Sequence, residues 1–362
     1  MNKLDRYILK AFLSTYVFAV IALCVIFIVV NLLENLEKFL DQKATAIAIV
    51  TYYLYLLPEI IKLLSPVALL MASLFSIGRL TNQNETTAMK SGGLSLYRMM
   101  FPLTVLSIAL SFGQLYFNGW IVPRMLTKKF EMERKYFNRS SGGTETQVYN
   151  LYFRDSALRN VIFGFYDATT RTGNDATVEE YSAELVPRVV KRLDARSMTW
   201  DSVSGSWLLH SCYERVISGD TISVRNVETM PVKLNVTHSN ITALQRSVDE
   251  MNFAERKDYV DLLERGGKDV RMKRIEYFGE FAFPFANFIV VLFGVPFASV
   301  RKKGGLAVEI ATAMVVSFFY LVFSKVSQSL GFELSIEPVV IGWSANVLFF
   351  IIGVANVIRV RT

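Results

Sequence analysis

The sequence predicts a membrane α-helical fold with six transmembrane helices, arranged as three plus three, and an extracytoplasmic all-β domain inserted between the two groups. Six apolar runs approach or exceed the roughly 20 helical residues that cross a hydrocarbon core about 30 Å thick. The central segment 124–277 instead holds short runs rich in Val, Ile, Tyr and Trp. Lys and Arg gather beside one set of span ends, which predicts the orientation of the chain.

The six spans fall into two regions, 1–123 and 278–362, because the long polar segment separates them. Backbone polar groups must be satisfied within a span, so each run is predicted to be a helix. The second span is the weakest, since it contains Pro58, Glu59, Lys62 and Pro66. The predicted spans cover residues 11–33, 54–77, 99–122, 281–300, 310–326 and 338–358, approximately.

The distribution of basic residues predicts that both termini are cytoplasmic and that 124–277 is extracytoplasmic. Short loops on the opposite side hold few cations, namely Lys38 and Lys43. Long domains cross regardless of their own charge, so the basic residues of the central segment do not oppose this orientation. The cations on the predicted cytoplasmic side are Lys3, Arg6, Lys10, Arg79, Lys90, Arg98, Arg301, Lys302, Lys303, Arg359 and Arg361.

The central segment is predicted to be a β domain followed by one helix. Its short apolar runs alternate with turn-forming clusters at 171–175 and 202–205, which is typical of a sandwich, jelly roll or barrel. Asn252 precedes a predicted helix over 253–265, and Gly266-Gly267 is expected to end it. The predicted strands cover residues 146–153, 161–166, 189–193, 206–213 and 221–227.

Composition excludes several classes of protein. Of 362 residues, 52% are hydrophobic and 20% are charged, and the net charge of +7 is explained by cations beside apolar runs, so nucleic-acid binding is not predicted. Cys24 and Cys212 cannot form a disulfide framework, and two histidines do not give the ligand spacing of a zinc site. We predict no metal, no catalytic residue and no cofactor in this chain.

A nucleotide-binding loop is also not predicted. The string Gly266-Gly267-Lys268-Asp269 lacks the glycine spacing and the Ser/Thr of a Walker A motif. A transporter built on this chain would therefore take its energy from another subunit or from an ion gradient. Ion coupling is disfavoured, because the first, third, fourth and sixth spans offer no carboxylate near the membrane midplane.

The loop between the second and third spans predicts a short cytoplasmic helix over about 82–93. Asn84 can cap it, Glu85 suits its positive amino-terminal end, and Gly92 or Gly93 can terminate it. Such a helix lying on the membrane surface could dock in a groove of a motor subunit. On spacing alone, a simple interfacial turn with a helix cap explains the same residues.

The amino-terminal stretch carries an apolar stripe at helical spacing, formed by Leu4, Ile8, Ala11 and Phe12. The cations of this stretch lie off the stripe. The pattern predicts an interfacial helix that leads into the first span and anchors the chain at the membrane surface.

An ordered set of motifs along almost the whole chain resembles the LptF/LptG family, the permease subunits of the lipopolysaccharide-export ABC transporter. Each motif is weak alone, and their shared order carries the resemblance; the opening Leu4-Asp5-Arg6-Tyr7-Ile8 is similar to the LptG branch. The other matching positions are Leu57-Pro58, Pro66, Gly78, Glu85, Ala88, Gly93-Leu94-Ser95, Trp120, Pro123, Ala195, Trp200, Trp207-Leu208-Leu209, Phe283-Pro284, Gly294-Val295-Pro296, Pro338, Trp343 and Asn346.

The resemblance implies that the inserted β domain is a jelly roll between two three-helix bundles, and it also implies a function and a set of partners. The chain would extract lipopolysaccharide from the outer leaflet of the inner membrane and pass it to a periplasmic jelly-roll bridge. A dimeric LptB-like ATPase would bind ATP and Mg²⁺ and push on the short helix, contacting Glu85, Thr86, Ala88, Met89 and Gly93. Other implied partners are the homologous second permease subunit, a single-span LptC-like protein and an LptA-like bridge.

Six basic residues near the predicted outer membrane face could contact the phosphates of lipid A, since Lys and Arg pair well with phosphate oxygens. The alternative is that these long side chains reach the headgroups without binding substrate. Glu59, one helical turn before Lys62, is also a candidate partner for that lysine. The candidate contacts are Lys38, Lys62, Arg124, Lys128, Lys129 and Lys325.

A second functional class remains open from the sequence. The same architecture would suit a membrane scaffold or sensor that moves no substrate and whose β domain binds a partner. A copurifying ATPase would favour the permease, and its absence would favour the scaffold.

Overall fold

The computed structural model describes residues 3–41, 43–136, 147–219, 221–239, 241, 247–265, 268–299 and 305–359. The chain divides into two compact units. The helical unit comprises Met1–Asn138 and Arg271–Thr362, and the β unit comprises Arg139–Val270. The predicted features at Thr146, Gly266-Gly267, the basic run 301–303 and Arg361 lie outside the described ranges.

Within the described ranges, the helical unit contains six helices that are long and apolar enough to cross a membrane. α1, with 39 residues, is about 58 Å long at 1.5 Å per residue and therefore exceeds a bilayer core. The helices are α1 (Lys3–Asp41), α2 (Ala46–Asn82), α3 (Glu85–Ser91), α4 (Leu96–Tyr116), a π-helical turn (Phe117–Ile121), α5 (Val122–Tyr136), α7 (Arg271–Ala282), a 3₁₀ turn (Phe283–Phe285), α8 (Ala286–Ala298), α9 (Gly305–Leu330) and α10 (Pro338–Arg359). The helix α6 (Phe253–Arg265) belongs to the β unit.

The fourth span is interrupted rather than continuous. At the 3₁₀ turn, the backbone N–H of Ala286 bonds to the carbonyls of Phe283 and Pro284, so the carbonyl of Ala282 loses its α-helical donor. Asn346 of α10 supplies it through its Nδ2, at 2.5 Å, and its Oδ1 accepts from the hydroxyl of Tyr320 at 2.7 Å. Neighbouring helices thus satisfy the backbone group that the break releases, as a low-dielectric environment requires.

The amino-terminal stripe packs on protein instead of lying on the membrane surface. α1 is one continuous helix from Lys3, and its Ile8 and Phe12 are buried in the main core of the helical unit. The helix leads into the first span, as predicted, but the predicted anchoring of its apolar stripe to the membrane surface is wrong, because other helices cover the face that lipid was expected to cover. This core also contains Leu69, Leu70, Leu74, Ile77, Leu96, Met99, Leu103, Val291 and Val295.

The β unit contains one six-stranded antiparallel sheet within the described ranges, and its strand order follows the sequence. This meander is a simpler order than the two Greek keys of a jelly roll. The strands are β1 (Gln147–Ser156), β2 (Arg159–Asp167), β3 (Thr172–Tyr181), β4 (Val189–Asp201), β5 (Ser206–Ser218) and β6 (Thr221–Val232). The predicted fold class, apolar helices with an inserted β domain, is confirmed.

One face of the sheet forms the core of the β unit. Trp207 lies at its centre, fully buried, and its Nε1 donates to the carbonyl of Val236 at 2.8 Å. The rings of Phe163, Tyr166 and Trp200 surround it, with centroids 5.2–6.3 Å away. Burial of these large rings stabilises the sheet, because aromatic side chains remove a large apolar area from water.

The strand β3 was not predicted, and the predicted turn at 171–175 is wrong beyond its first residue. The turn ends at Arg171, whose φ is +56°, and β3 starts at Thr172. Gly173 suggested a turn, but its glycine serves packing: a Cβ there would overlap the ring of Phe163. A glycine inside a strand often marks such a close approach.

The helix α6 (Phe253–Arg265) has the range predicted for it. The Oδ1 of Asn252 accepts from the backbone N–H groups of Ala254 and Glu255 at 2.9 and 3.0 Å. The Glu255 carboxylate in turn accepts from the N–H of Asn252 at 2.9 Å. This reciprocal capping box fixes where the helix begins.

Candidate coupling helix and lipid-contact residues

The helix α3 begins at Glu85, where a carboxylate interacts favourably with the positive end of the helix dipole. The hydroxyl of Tyr7, from the second turn of α1, donates to both oxygens of the Glu85 carboxylate at 3.1 and 3.3 Å. The predicted side-chain cap is wrong, because Asn84 adopts a left-handed conformation with φ of +59° and its side chain makes no cap hydrogen bond. The hydroxyl of Tyr7 therefore contacts the side chain of the first residue of this helix.

The end of α3 is fixed by a glycine, as predicted. Gly93 has φ of +84°, a conformation that costs little without a Cβ. Its N–H bonds to the carbonyl of Lys90, and the N–H of Leu94 bonds to the carbonyl of Met89, at 2.9 and 3.0 Å. This pair of bonds is a Schellman motif, which satisfies the last carbonyls of the helix and turns the chain towards α4.

The five predicted coupling residues divide by exposure. Thr86 is buried, and Met89 packs against the main core, so these two side chains attach α3 to the helical unit. Ala88 and Gly93 are exposed, while Glu85 is half-buried. The outer face of α3 is therefore available to a partner, and its inner face is held by the spans.

A second contact ties the amino terminus to the end of the same loop. Arg98, in the first turn of α4, donates to the carboxylate of Asp5 at 3.0 Å, and Asp5 is buried. The Asp5–Arg98 pair and the Tyr7–Glu85 bond together place the first two turns of α1 against both ends of the segment that contains α3. The sequence assigned this stretch to anchoring, because contacts 78 and 93 residues apart leave no local signal.

Lys62, which lies within the second span, has a partner that the sequence did not suggest. Its Nζ lies 3.7 Å from the carboxylate of Glu280 on α7. Its backbone carbonyl accepts from the Nε2 of Gln114 on α4 at 2.9 Å. The backbone of α2 is thus fixed at this position while the ammonium group takes part in an interhelical ion pair.

The cations on α5 contact aromatic rings of α2. Lys128 lies 5.7 Å from the ring centroid of Tyr55, a cation–π distance. Lys129 lies 5.8 Å from the ring centroid of Tyr52 and pairs with Glu133 at 2.9 Å. Lys129 is therefore already engaged within the chain, which makes it a weaker candidate for lipid contact than Lys128.

The remaining predicted cations lie at the surface. Lys38 donates to the side-chain oxygen of Asn35 at 3.1 Å, one turn earlier on α1. Arg124 and Lys325 are exposed on α5 and α9. Long exposed side chains of this kind can reach a lipid headgroup with their charged ends.

Comparison with known proteins decides which family these features belong to. The sequence model of the lipopolysaccharide export system permease LptF/LptG family matches residues 6–359. The chain belongs to the LptF/LptG family. It is 20% identical to the lipopolysaccharide export system permease protein LptG of Haemophilus influenzae over 332 residues, covering 90% of each chain. It is 18% identical to LptG of Escherichia coli K12 over 367 residues, covering 98% of each. The resemblance seen in the sequence is confirmed.

This LptF/LptG chain also contains a buried network of hydrogen-bonded polar side chains that the sequence did not reveal. The hydroxyls of Tyr16 and Ser65 lie 2.9 Å apart, and Ser65 donates to the side-chain oxygen of Asn287 at 3.5 Å. Asn287 then donates to Gln114, whose Nε2 reaches the carbonyl of Lys62. These side chains join α1, α2, α8 and α4 through hydrogen bonds, which position spans in a membrane because hydrophobic burial alone cannot.

Proposed function

We propose that this LptF/LptG-family permease subunit extracts lipopolysaccharide from the outer leaflet of the inner membrane and hands it to a periplasmic bridge. The family match over residues 6–359 is the observation that carries this proposal. By charge distribution, both termini face the cytoplasm and the β unit faces the periplasm. The chain itself performs no covalent chemistry.

A separate dimeric ATPase, LptB-like, supplies the energy by binding and hydrolysing ATP with Mg²⁺. The force enters at α3, whose first residue is Glu85 and whose exposed face carries Ala88, with the exposed Gly93 just beyond its end. Support for this role comes from the way α3 is attached. Thr86 and Met89 attach α3 to the spans, so a movement of α3 also moves the spans.

The first span is a direct recipient of that force. The Tyr7–Glu85 hydrogen bond and the Asp5–Arg98 ion pair connect the α3 loop to α1. Because α1 is a single helix from Lys3 to Asp41, a movement of its cytoplasmic end also moves its far end. A lateral opening beside this span is where the lipid enters the cavity that the second, homologous permease subunit completes.

The lipid A phosphates are held by cations near the outer membrane face. Lys62, Lys128 and Lys325 are the strongest candidates, with Lys38 and Arg124 at the surface. Collapse of the cavity then moves the lipid into the β unit. From there it passes, with a single-span LptC-like protein, to an LptA-like bridge.

Charge reversal at Glu85 tests the coupling step. The Glu85→Lys variant places a cation at the positive end of α3 and removes the acceptor of Tyr7, so we expect loss of ATPase association or ATP hydrolysis without export. Glu37→Lys is the matched control, since it makes the same charge change at an exposed site near the far end of α1. Normal assembly and export in the Glu85→Lys complex would refute the coupling role.

A further inference from the structure

The ion pair between Lys62 and Glu280 joins two helices, as Asp5–Arg98 does, but its N–O distance is longer than the 3.0 Å of that pair. The two groups lie on different helices, α2 and α7, and their side chains are 23% and 25% exposed. Their N–O distance is 3.7 Å, whereas Lys129–Glu133 and Lys273–Glu276, each within one helix, measure 2.9 and 3.0 Å. A separation of 3.7 Å is beyond hydrogen-bond length, so the attraction is electrostatic without a close directional contact.

Both partners belong to helices long and apolar enough to span a membrane, Ala46–Asn82 and Arg271–Ala298. An unpaired charge in such a helix is costly, so each group stabilises the other. The loose geometry keeps the cost of separating them smaller than for a close charge-assisted hydrogen bond. The pair therefore keeps Lys62 neutralised while leaving it able to exchange its anion.

We propose that Glu280 competes within the chain for the site on Lys62 that a phosphate ester of an anionic lipid occupies. In the empty site the carboxylate pairs with the ammonium group, and an arriving phosphate displaces it. When the lipid leaves, the carboxylate returns. This inference rests on the proposed role of Lys62 in lipid contact, and it adds a group that weakens binding.

Such a competitor serves transport because a carrier must bind its substrate well enough to load it and weakly enough to release it. A bare lysine among apolar helices would hold a phosphate strongly, since the alternative for the lysine is an unpaired charge. With Glu280 beside it, release leaves no unpaired charge on Lys62. The backbone of Lys62 stays fixed by Gln114 throughout, so the exchange involves the side chains alone.

The test uses the transporter complex assembled with its partner subunits in lipid nanodiscs, with bisphosphorylated lipid A as the probe. In Glu280→Gln the carboxylate is lost without a change of size, so we expect roughly tenfold tighter binding and slower dissociation, and slower export despite the tighter binding. Glu276→Gln is the matched control, because it removes a carboxylate one turn earlier on α7 whose partner is Lys273. Its affinity for the probe should match the wild type.

A second pair of variants separates this inference from the proposed function. Lys62→Gln should weaken binding, and adding Glu280→Gln to it should bring no gain, because the competition needs the lysine. If Lys62→Gln weakens binding but Glu280→Gln alone fails to strengthen it, the competition is refuted and the lipid contact survives. If Lys62→Gln binds the probe like the wild type, both the lipid contact of Lys62 and the competition by Glu280 are refuted.

Discussion

Helices α7 and α10 lie close together at Gly342, and this contact allows a sharp test of the helix packing. A Cβ built on Gly342 would lie 2.8 Å from the backbone nitrogen of Gly279 and 2.9 Å from the carbonyl carbon of Phe278. Ordinary contacts between such atoms begin near 3.4 Å, so Gly342→Ala forces the two helices apart by about half an ångström. Backbone atoms cannot rotate away as a side chain can.

The expected loss of stability is obtained by comparison with a glycine whose surroundings leave space for a Cβ. Overpacking of this kind costs about 1–3 kcal/mol. Gly113 of α4 has no heavy atom within 4 Å of its Cβ position outside its own helix backbone, so Gly113→Ala should stabilise by about 0.5–1 kcal/mol through reduced backbone entropy. That entropy gain is common to both variants. Their difference in unfolding free energy should therefore equal the overpacking cost of about 1–3 kcal/mol.

The assay is reversible unfolding of the purified chain in mixed detergent micelles, with helicity followed by circular dichroism. Both alanine variants are measured against the wild type under identical conditions. Equal stabilities of the Gly342→Ala and Gly113→Ala chains would refute the argument that a close backbone contact between α7 and α10 requires glycine. A more stable Gly342→Ala chain would refute it more strongly.

Two further perturbations probe the amino-terminal contact and the β unit. In a double-mutant cycle of Asp5→Asn and Arg98→Gln, we expect a coupling of about 1 kcal/mol in unfolding free energy, modest because the Arg98 side chain is 41% exposed; a coupling near zero would show that the ion pair adds no stability. In the β unit, the Tyr166 hydroxyl lies 2.6 Å from Nδ1 of His238, and burial, followed by the nearby Arg171, lowers the pKa of that histidine below its usual value. The unfolded chain then takes up a proton near pH 6.5 that the folded unit resists, so the unfolding free energy should fall as the pH drops through 6.5, by at most about 1.4 kcal/mol per pH unit. Denaturant unfolding of the full chain at several pH values, followed by tryptophan fluorescence, gives the change of unfolding free energy with pH. The same pH dependence in His238→Gln would show that this histidine does not cause it.

The fold class could be predicted because apolar runs and short β-type runs each reflect a local environment. A span must be apolar over its whole length, so its position is readable from composition alone. The 3₁₀ break at Phe283–Phe285 was missed, since a single proline does not show whether another helix satisfies the freed carbonyl. The strand β3 was missed because Gly173 looks like a turn residue, and only its contact with Phe163 explains it.

The sequence predicted only those features of the candidate site that depend on residues close together in the chain. The short helix with Glu85 and its glycine end follow from neighbouring residues. The partners Tyr7, Arg98 and Glu280 do not, because each pairs with a residue far away in the chain. Glu59 looked like a partner for Lys62 from helical spacing, but the ion pair seen in the structure crosses to another helix.

In the mechanism that we propose, a separate ATPase drives lipopolysaccharide through a permease that includes this chain. The most direct test of this mechanism is ATP-dependent transfer of lipopolysaccharide from proteoliposomes, containing this chain with the second permease subunit, the single-span partner and the ATPase, to a soluble periplasmic acceptor. We predict transfer that requires both ATP and this chain. Equal transfer from vesicles that lack this chain would contradict the mechanism. So would an absence of transfer from vesicles that contain all the subunits and hydrolyse ATP.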